Sequence, residues 1–364
     1  MPKIHLSYQW SDEGPATKGP TSPLHHPLMA LLQAVREGGS ISQAARACGL
    51  SYRHVWGELK RWEQYLSQPL IVWEKGQAAR LTDFADKLLW AERQAQARLS
   101  PQISALQAEL EKTFALAFDP SQHVLTLYAS HDDALVRLRE HTAQQGLHLD
   151  IRFCGSVDAI RALNEGRCAV AGFHAPQKPG PDSLVARTYQ PLLQTGQHKL
   201  IGFARREQGL MVAAGNPLGI TGWQDLLRRD VRMVNRSLGT GTRLWLDAWL
   251  HAQQMDSARI NGYAHEEPSH AAVAACIAAG RADTGLGIAS AARAQGLGFI
   301  ALAQEDYWLV CLKSALESPA VLELRQTLAQ APWQHTLGAL EGYQSDTGTG
   351  RVHSLRNRLP WWNF

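Results

Sequence analysis

Two turns in the second half of the chain combine residue types that hold anions. Ser130-His131-Asp132 follows the apolar run 124–129, and Gly239-Thr240-Gly241-Thr242-Arg243 follows the run 231–235; each opens onto a helical period. The amino end of a helix carries unpaired backbone N–H groups and a partial positive charge. Glycine lets the backbone approach a ligand, and Ser/Thr hydroxyls add donors. One such turn from each of two lobes would clamp a small anion. Arg236 and Arg243 would supply formal charge, and Ser156, after Gly155, a further donor. His131, His174 and His270 stand at expected strand ends or helix starts, where the cleft of an α/β sheet lies. Taken singly, each turn also reads as an ordinary cap, with Ser130 or Thr240 bonding its own helix. The second turn lacks the Gly-Lys-Ser/Thr ending of a phosphate-loop ATPase.

Patterns for covalent or metal catalysis are missing. The sequence has no Gly-x-Ser-x-Gly elbow, no His-Glu-x-x-His, and no Gly-x-Gly-x-x-Gly after the first α/β strand. Glu266-Glu267 is a pair of carboxylates, but neighbours in a loop point to different sides. An enzyme using the same cleft stays as the alternative, because fold does not settle function.

Short apolar runs at 124–129, 149–153, 169–173, 231–235, 284–287 and 309–312 alternate with helical stretches, which predicts a parallel α/β architecture. Gly166-Arg167-Cys168-Ala169 and Gly280-Arg281-Ala282-Asp283 both close a helix and enter a strand, an echo that two similar lobes would produce. Arg205-Arg206-Glu207 fits a hinge between them. Phe173 and Tyr263 are candidates for an aromatic wall beside a larger ligand, whereas Trp245 and Trp249, four apart, read as core.

The first half has a different style. Ile4, Leu6, Tyr8 and Trp10 alternate as in a short strand, and 11–27 is rich in turn residues. Leu28, Leu31, Leu32 and Val35 form a helical stripe stopped by Gly38-Gly39. A second helix follows from Ile41 to Cys48 with Ser40 as its cap, and a third from Tyr52 to about Leu66 after Gly49. This is helix-turn-helix spacing: Ala44 and Ala45 admit a close crossing, and Gly49 supplies the turn. The third helix would present Ser51, Tyr52, Arg53 and His54 to base edges, with Val55, Trp56 and Leu59 facing inward. Ser40, Ser42, Lys60, Lys75 and Arg80 complete the expected DNA-contact set. Residues 83–118 are helical again, and Pro101 should kink that run or start a new helix.

At this point resemblances become specific. Residues 31–56, Leu-Leu-Gln-Ala-Val-Arg-Glu-Gly-Gly-Ser-Ile-Ser-Gln-Ala-Ala-Arg-Ala-Cys-Gly-Leu-Ser-Tyr-Arg-His-Val-Trp, resemble the winged helix-turn-helix of molybdate-responsive regulators, relatives of the LysR-type regulators. Pro69-Leu70-Ile71-Val72 and Leu81-Thr82 are similar to that family's wing strands, although Trp73-Glu74-Lys75-Gly76-Gln77 replaces its Arg and glycines. The apolar stripe of 83–118 resembles the LysR-type dimerisation helix, which implies a homodimer or higher homo-oligomer on double-stranded DNA. Residues 122–350 resemble periplasmic-type solute-binding domains of the kind attached to molybdenum-cofactor proteins. The markers are Ala-Ser-His-Asp-Asp (129–133), Gly-Asn-Pro (215–217), Val-Asn-Arg-Ser-Leu-Gly-Thr-Gly-Thr-Arg (234–243), Ser-His-Ala-Ala-Val-Ala (269–274) and Gly-Arg-Ala-Asp-Thr-Gly-Leu-Gly (280–287). The resemblance implies a small anionic effector: molybdate, tungstate or a molybdenum-cofactor-related ligand. No resident cofactor or metal is expected.

The expected α/β organisation is therefore a winged helix-turn-helix over 1–82, linker and dimerisation helices over 83–121, and a two-lobed periplasmic-binding-protein-like sensor over 122–364. The 364 residues carry a formal charge of +3, and 24–82 alone carries +3, from seven Lys/Arg against four Glu. That excludes an indiscriminate polycation while leaving a modest basic module for DNA. Five cysteines, none in a Cys-x-x-Cys pair, argue against a zinc ribbon or disulfide framework. With no long apolar run, a cytoplasmic protein without membrane partners is expected. The apolar tail at 359–364 has no assigned role.

Overall fold

The computed structural model describes residues 26–72, 78–119, 122–177, 183–345 and 348–359. The expected strand at 4–10, the centre of the wing with Lys75, and the Trp361-Trp362 tail lie outside these residues. The chain divides into two compact units, with the boundary between Ala97 and Arg98.

The first unit contains α1 (Pro27–Gly38), α2 (Ile41–Ala47), α3 (Tyr52–Leu66), β1 (Ile71–Val72) and β2 (Arg80–Leu81). The helices form where the sequence provides caps. Ser40 Oγ accepts from Gln43 N, and Ser51 Oγ accepts from His54 N. Gly49 takes φ +66° in the turn between α2 and α3, a conformation that only glycine adopts cheaply. Ala44 and Ala45 are buried beneath the crossing, and Val55, Leu59 and Trp62 fill the core with Leu28, Leu32 and Val35. β1 and β2 pair antiparallel, Ile71 opposite Leu81, and form the base of the wing.

A single helix, α4 (Asp83–Phe118), follows. It continues through Pro101, contrary to the expected interruption. Proline removes one ladder hydrogen bond, and here the 36-residue helix accommodates the loss. Arg139 donates to Ser104 O, Lys112 pairs with Asp150, and Arg98 grips Glu267 with two bonds, which ties the second half of α4 to the sensor.

The second unit begins with β3 (His123–Ala129), α5 (Asp133–Ala143), β4 (Leu147–Phe153), α6 (Ser156–Asn164), β5 (Val170–Pro176), α7 (Leu184–Tyr189) and β6 (His198–Val212). It continues with β7 (Asn235–Arg236), α8 (Gly241–Ala252), β8 (Glu266–Glu267), α9 (His270–Ala278), β9 (Thr284–Ile288), α10 (Ala289–Ala294) and β10 (Gly298–Leu312). The last elements are α11 (Pro319–Ala329), α12 (Ala331–Gly338), β11 (Tyr343–Gln344), β12 (Val352–His353) and α13 (Leu355–Arg358).

The sheet corrects the expectation of an all-parallel architecture. β3 pairs in parallel with β4 and β5, but β10 runs antiparallel to both β5 and β6. β6 and β10, 15 residues each, pass through both lobes, so eight strands form one mixed sheet. β6 escaped notice in the sequence because Arg205, Arg206, Glu207 and Gln208 interrupt its apolar run. The expected strand at 231–235 is shorter and shifted, to Asn235–Arg236. The echo at 166 and 280 is real in the chain path: α6 leads to β5, and α9 to β9, through a glycine at φ +71° and +69°.

Candidate functional site

Ser42, Tyr52 and Arg53 on α2 and α3 are exposed, with Lys60 a further two turns along and Arg80 at the wing base; His54 is half-buried. The hydroxyls of Ser40 and Ser51 are engaged as caps. Trp56 corrects the inward assignment. It is half-buried, stacks on Tyr52 at 6.4 Å, and carries the Lys60 ammonium 4.9 Å above its ring. Trp62 takes the fully buried position, because six residues of helix turn a side chain well away from the face of Trp56.

In the second unit the Gly239–Gly241 turn meets the Gly155-Ser156 turn, and Ser130 of the other expected turn stands beside Ser156. A methyl group at Gly155, the cap position of α6, would fall 2.6 Å from the carbonyl oxygen of Gly239. One at Gly241, the first residue of α8, would lie 3.1 Å from His174 Cβ and 3.6 Å from Ser156 Oγ. The lobes are therefore apposed across the amino ends of α6 and α8, and α8 packs on α7 and β5. Gly155 offers no side-chain cap, which leaves the first amides of α6 to whatever enters. Ser130 Oγ and Ser156 Oγ stand 3.5 Å apart, both buried. Replacing Gly155 with alanine should force this backbone contact apart and weaken the binding of any anion held between the two turns at least about tenfold. Titration calorimetry checks this; unchanged affinity would show that the contact does not matter.

Thr240 caps α8, accepting from Arg243 N and donating to Ser237 O, and Thr242 Oγ1 accepts from Gln208 Nε2. The Arg243 guanidinium is committed to Asp247 and Glu266 and lies over the Tyr263 ring. Arg236 is different. It is 1% exposed, donates once to Glu267 O at 3.0 Å, and its Nε has no partner among the described residues. Burial, reinforced by the charge of Arg206, pulls its pKa down to about 9, so the guanidinium is held at a cost.

The histidines share this neighbourhood. His131 Nε2, His174 Nε2 and His270 Nδ1 are all buried without hydrogen-bond partners among the described residues. Burial lowers His131 to about 4, with Asp132 opposing and Arg236 adding to the effect. Burial also drives His270 down, helped by Arg236, Arg206 and the other two histidines. His174 Nε2 lies 3.8 Å from Asp132 Oδ2, a charge contact rather than a hydrogen bond.

Sequence reasoning missed the groups that organise these donors. Arg206, placed by β6, joins Asp132 at the head of α5 to Glu305 on β10, and Tyr343 also donates to Asp132. Burial alone would raise the Asp132 carboxyl, but the Arg206 charge, His174 and the Tyr343 hydroxyl together outweigh it and leave the pKa at about 2. Tyr307 stacks 3.8 Å from His174, and its hydroxyl is unpartnered. Tyr307 beside His174 and Phe153 beside His131, and not Phe173, are the aromatic groups next to the histidines; Phe173 packs into the lobe core against Tyr189. The arginine run at 205–206 was the one available signal. A separate group, His265, Glu267 and Cys276, has ligand atoms within 4.8 Å of one another. Arg98 already holds Glu267, and the charges of Arg281, Arg98 and Arg232 bear on Cys276, so a cation is disfavoured there.

Residues 138–329, slightly more than half the chain, match the family model of the PBP superfamily domain. The chain belongs to the PBP superfamily. Residues 27–86 of this PBP superfamily protein match the bacterial regulatory helix-turn-helix of the lysR family. The chain thus joins a helix-turn-helix similar to that of lysR-family regulators to a PBP-like domain. The Bacillus subtilis (strain 168) protein YvgK, described as uncharacterized, is 28% identical over 257 residues, covering 70% of this chain and 81% of its own. A Corynebacterium glutamicum OxyR mutant is 17% identical with TM-score 0.40, covering 83% of this chain and 91% of its own. A putative phosphate ABC transporter substrate-binding protein from Clostridium perfringens, solved with bound phosphate, is 13% identical with TM-score 0.48, covering 62% and 100%. Among the described residues no helix is long and apolar enough to cross a membrane.

Proposed function

We propose that this regulator senses a small oxyanion held between the lobes of its PBP-like unit, with molybdate or tungstate as the first candidates and a molybdenum-cofactor-related ligand as the larger alternative. Arg236 carries the reading. A buried guanidinium whose Nε has no hydrogen-bond partner among the described residues, and whose burial outweighs the Glu267 charge near it, is expensive unless an anion joins it. Ser130, Ser156, the histidines and the amino ends of α6 and α8 provide the remaining donors, which suits a tetrahedral oxyanion. The resemblance of the DNA-binding unit to molybdate-responsive regulators favours the molybdenum and tungsten anions over others.

The effector acts by stabilising apposed lobes. It shifts that equilibrium only as far as it binds one state better than the other. The exposed stripe Leu99, Leu106, Leu110, Phe114 and Phe118 on α4 supports a homodimer that carries two DNA-reading helices.

Thermal denaturation with molybdate, tungstate, sulfate and phosphate tests the effector. An anion at about 100 times its Kd should add about 2.7 kcal/mol, a rise of about 5–10 °C. Failure of every anion to raise the melting temperature would overturn the reading. On the DNA side, Arg53→Ala should weaken operator binding by about 10–100-fold and leave the anion shift intact. Retained operator affinity in a mobility-shift titration would remove Arg53 from the interface.

A further inference from the structure

The groups around Arg236 set a charge balance as well as a donor pattern. The cations gathered there are Arg206, Arg236 and Arg98; Asp132 and Glu305 both pair with Arg206, and Glu267 pairs with Arg98 while its charge also reaches Arg236. These sum to zero. Arg243 is matched by Asp247 and Glu266, and Asp133, which accepts from Ser290, contributes only negative charge. A divalent oxyanion in this buried site would therefore meet no surplus of positive charge, and uncompensated charge in such surroundings is costly.

The groups able to supply that charge are the histidines. His131 faces the Phe153 ring at 4.8 Å, Asp132 and Arg236. His174 faces Tyr307, Asp132, Arg206 and Glu305, with the amino end of α8 beside it. His270, first residue of α9, lies within electrostatic reach of Arg236, Arg206 and the other two histidines. Each has a buried ring nitrogen without a partner. All three are held neutral by burial, and the nearby arginines add to this; an anion among them reverses the electrostatic part.

The carboxylates point the same way. Asp132 Oδ1 accepts from Ala134 N, and Oδ2 from Arg206 and Tyr343. Glu305 accepts from Arg206, and Glu267 from both arms of Arg98. Both oxygens of Asp132 and of Glu267 and one of Glu305 are engaged, which leaves few carboxylate acceptors for the hydroxyl of a protonated oxyanion such as hydrogen phosphate.

We propose that the site takes a divalent oxyanion in its fully deprotonated form and, as it does so, draws protons from solvent onto His131, His174 and His270. Effector sensing is then linked to pH, with tighter binding on the acid side of neutrality. This rests on the oxyanion reading of the same site.

Titration calorimetry of the full chain with sulfate and with molybdate, in buffers of different ionisation enthalpy, counts the protons exchanged. About one to two protons should be taken up per anion at about pH 7, and affinity should rise about tenfold per proton for each unit of pH lost between about 8 and 6. Phosphate should bind more weakly than sulfate under the same conditions. His270→Gln should lower the proton uptake by up to about one and flatten the pH dependence, a change that lost packing alone would not produce. The single variants His131→Gln and His174→Gln serve where that chain fails to fold. Anion binding without proton exchange, and with affinity constant across this range, overturns the proposal and leaves the effector reading standing. No binding heat in any buffer, with no thermal shift, overturns the effector reading itself and this proposal with it.

Discussion

Arg236→Met should abolish the effector response while the protein still folds. The wild-type guanidinium is 1% exposed, its Nε is unpartnered, and burial brings its pKa down to about 9. Methionine fills similar space without requiring a counter-charge, so the stability of the unliganded chain should be unchanged or higher. Losing one member of a buried charge pair in the complex costs about 3–5 kcal/mol, which weakens anion binding by about 100-fold to about 1,000-fold or more. Thermal denaturation with and without molybdate or sulfate, followed by calorimetric titration, measures both quantities. A variant that keeps the full anion-induced shift would remove Arg236 from the site.

Asp132→Ala should have the opposite signature, a large loss of stability before any effector is added. Asp132 does two jobs: its Oδ1 caps α5 through Ala134 N, and its Oδ2 neutralises Arg206 on the crossover strand β6. Removing it leaves a buried arginine with Glu305 as its remaining carboxylate, at a cost of about 3–5 kcal/mol, with a further 0.5–2 kcal/mol or so for the cap. At about 2–4 °C per kcal/mol, the melting temperature should fall by about 7–28 °C. The second substitution Arg206→Met should recover part of this loss, since the stranded charge is then gone and the two residues are directly coupled. A single Asp132→Ala variant within about 1 kcal/mol of the wild type would refute the clamp. The linkage sign is the usual one for a depressed carboxylate. With a pKa of about 2, the stabilisation by Asp132 is present above the ordinary value of 3.8 and is lost as pH falls through 3.8 toward 2.

The two variants separate the arginines that the sequence presented alike. Arg206 and Arg243 are both saturated by carboxylates, whereas Arg236 is not. All three sit in polar stretches of similar composition. Only the packing of β6, β7 and α8 reveals which charge remains for a ligand. The same holds for tryptophan: Trp56 and Trp62 share one helix, yet one is buried and the other lies between Tyr52 and Lys60.

What could be read from the sequence alone was short-range. Ser40, Ser51 and Thr240 cap the helices they precede, and Gly49 makes the turn, because each satisfies its partner within three residues. The helical stripes of α1 and α3 and the turns that approach the cleft were legible for the same reason. Tertiary structure decided everything that depends on partners far along the chain. β6 is a strand because its charges find Asp132 and Glu305, 74 and 99 residues away from Arg206. The antiparallel course of β10, the apposition of Gly155 on Gly239, and the neutral state of the three histidines follow from that long-range assembly. Local hydrogen bonds specify an element wherever it forms. A charge acquires its meaning only when burial has removed water and fixed which other charges remain near it.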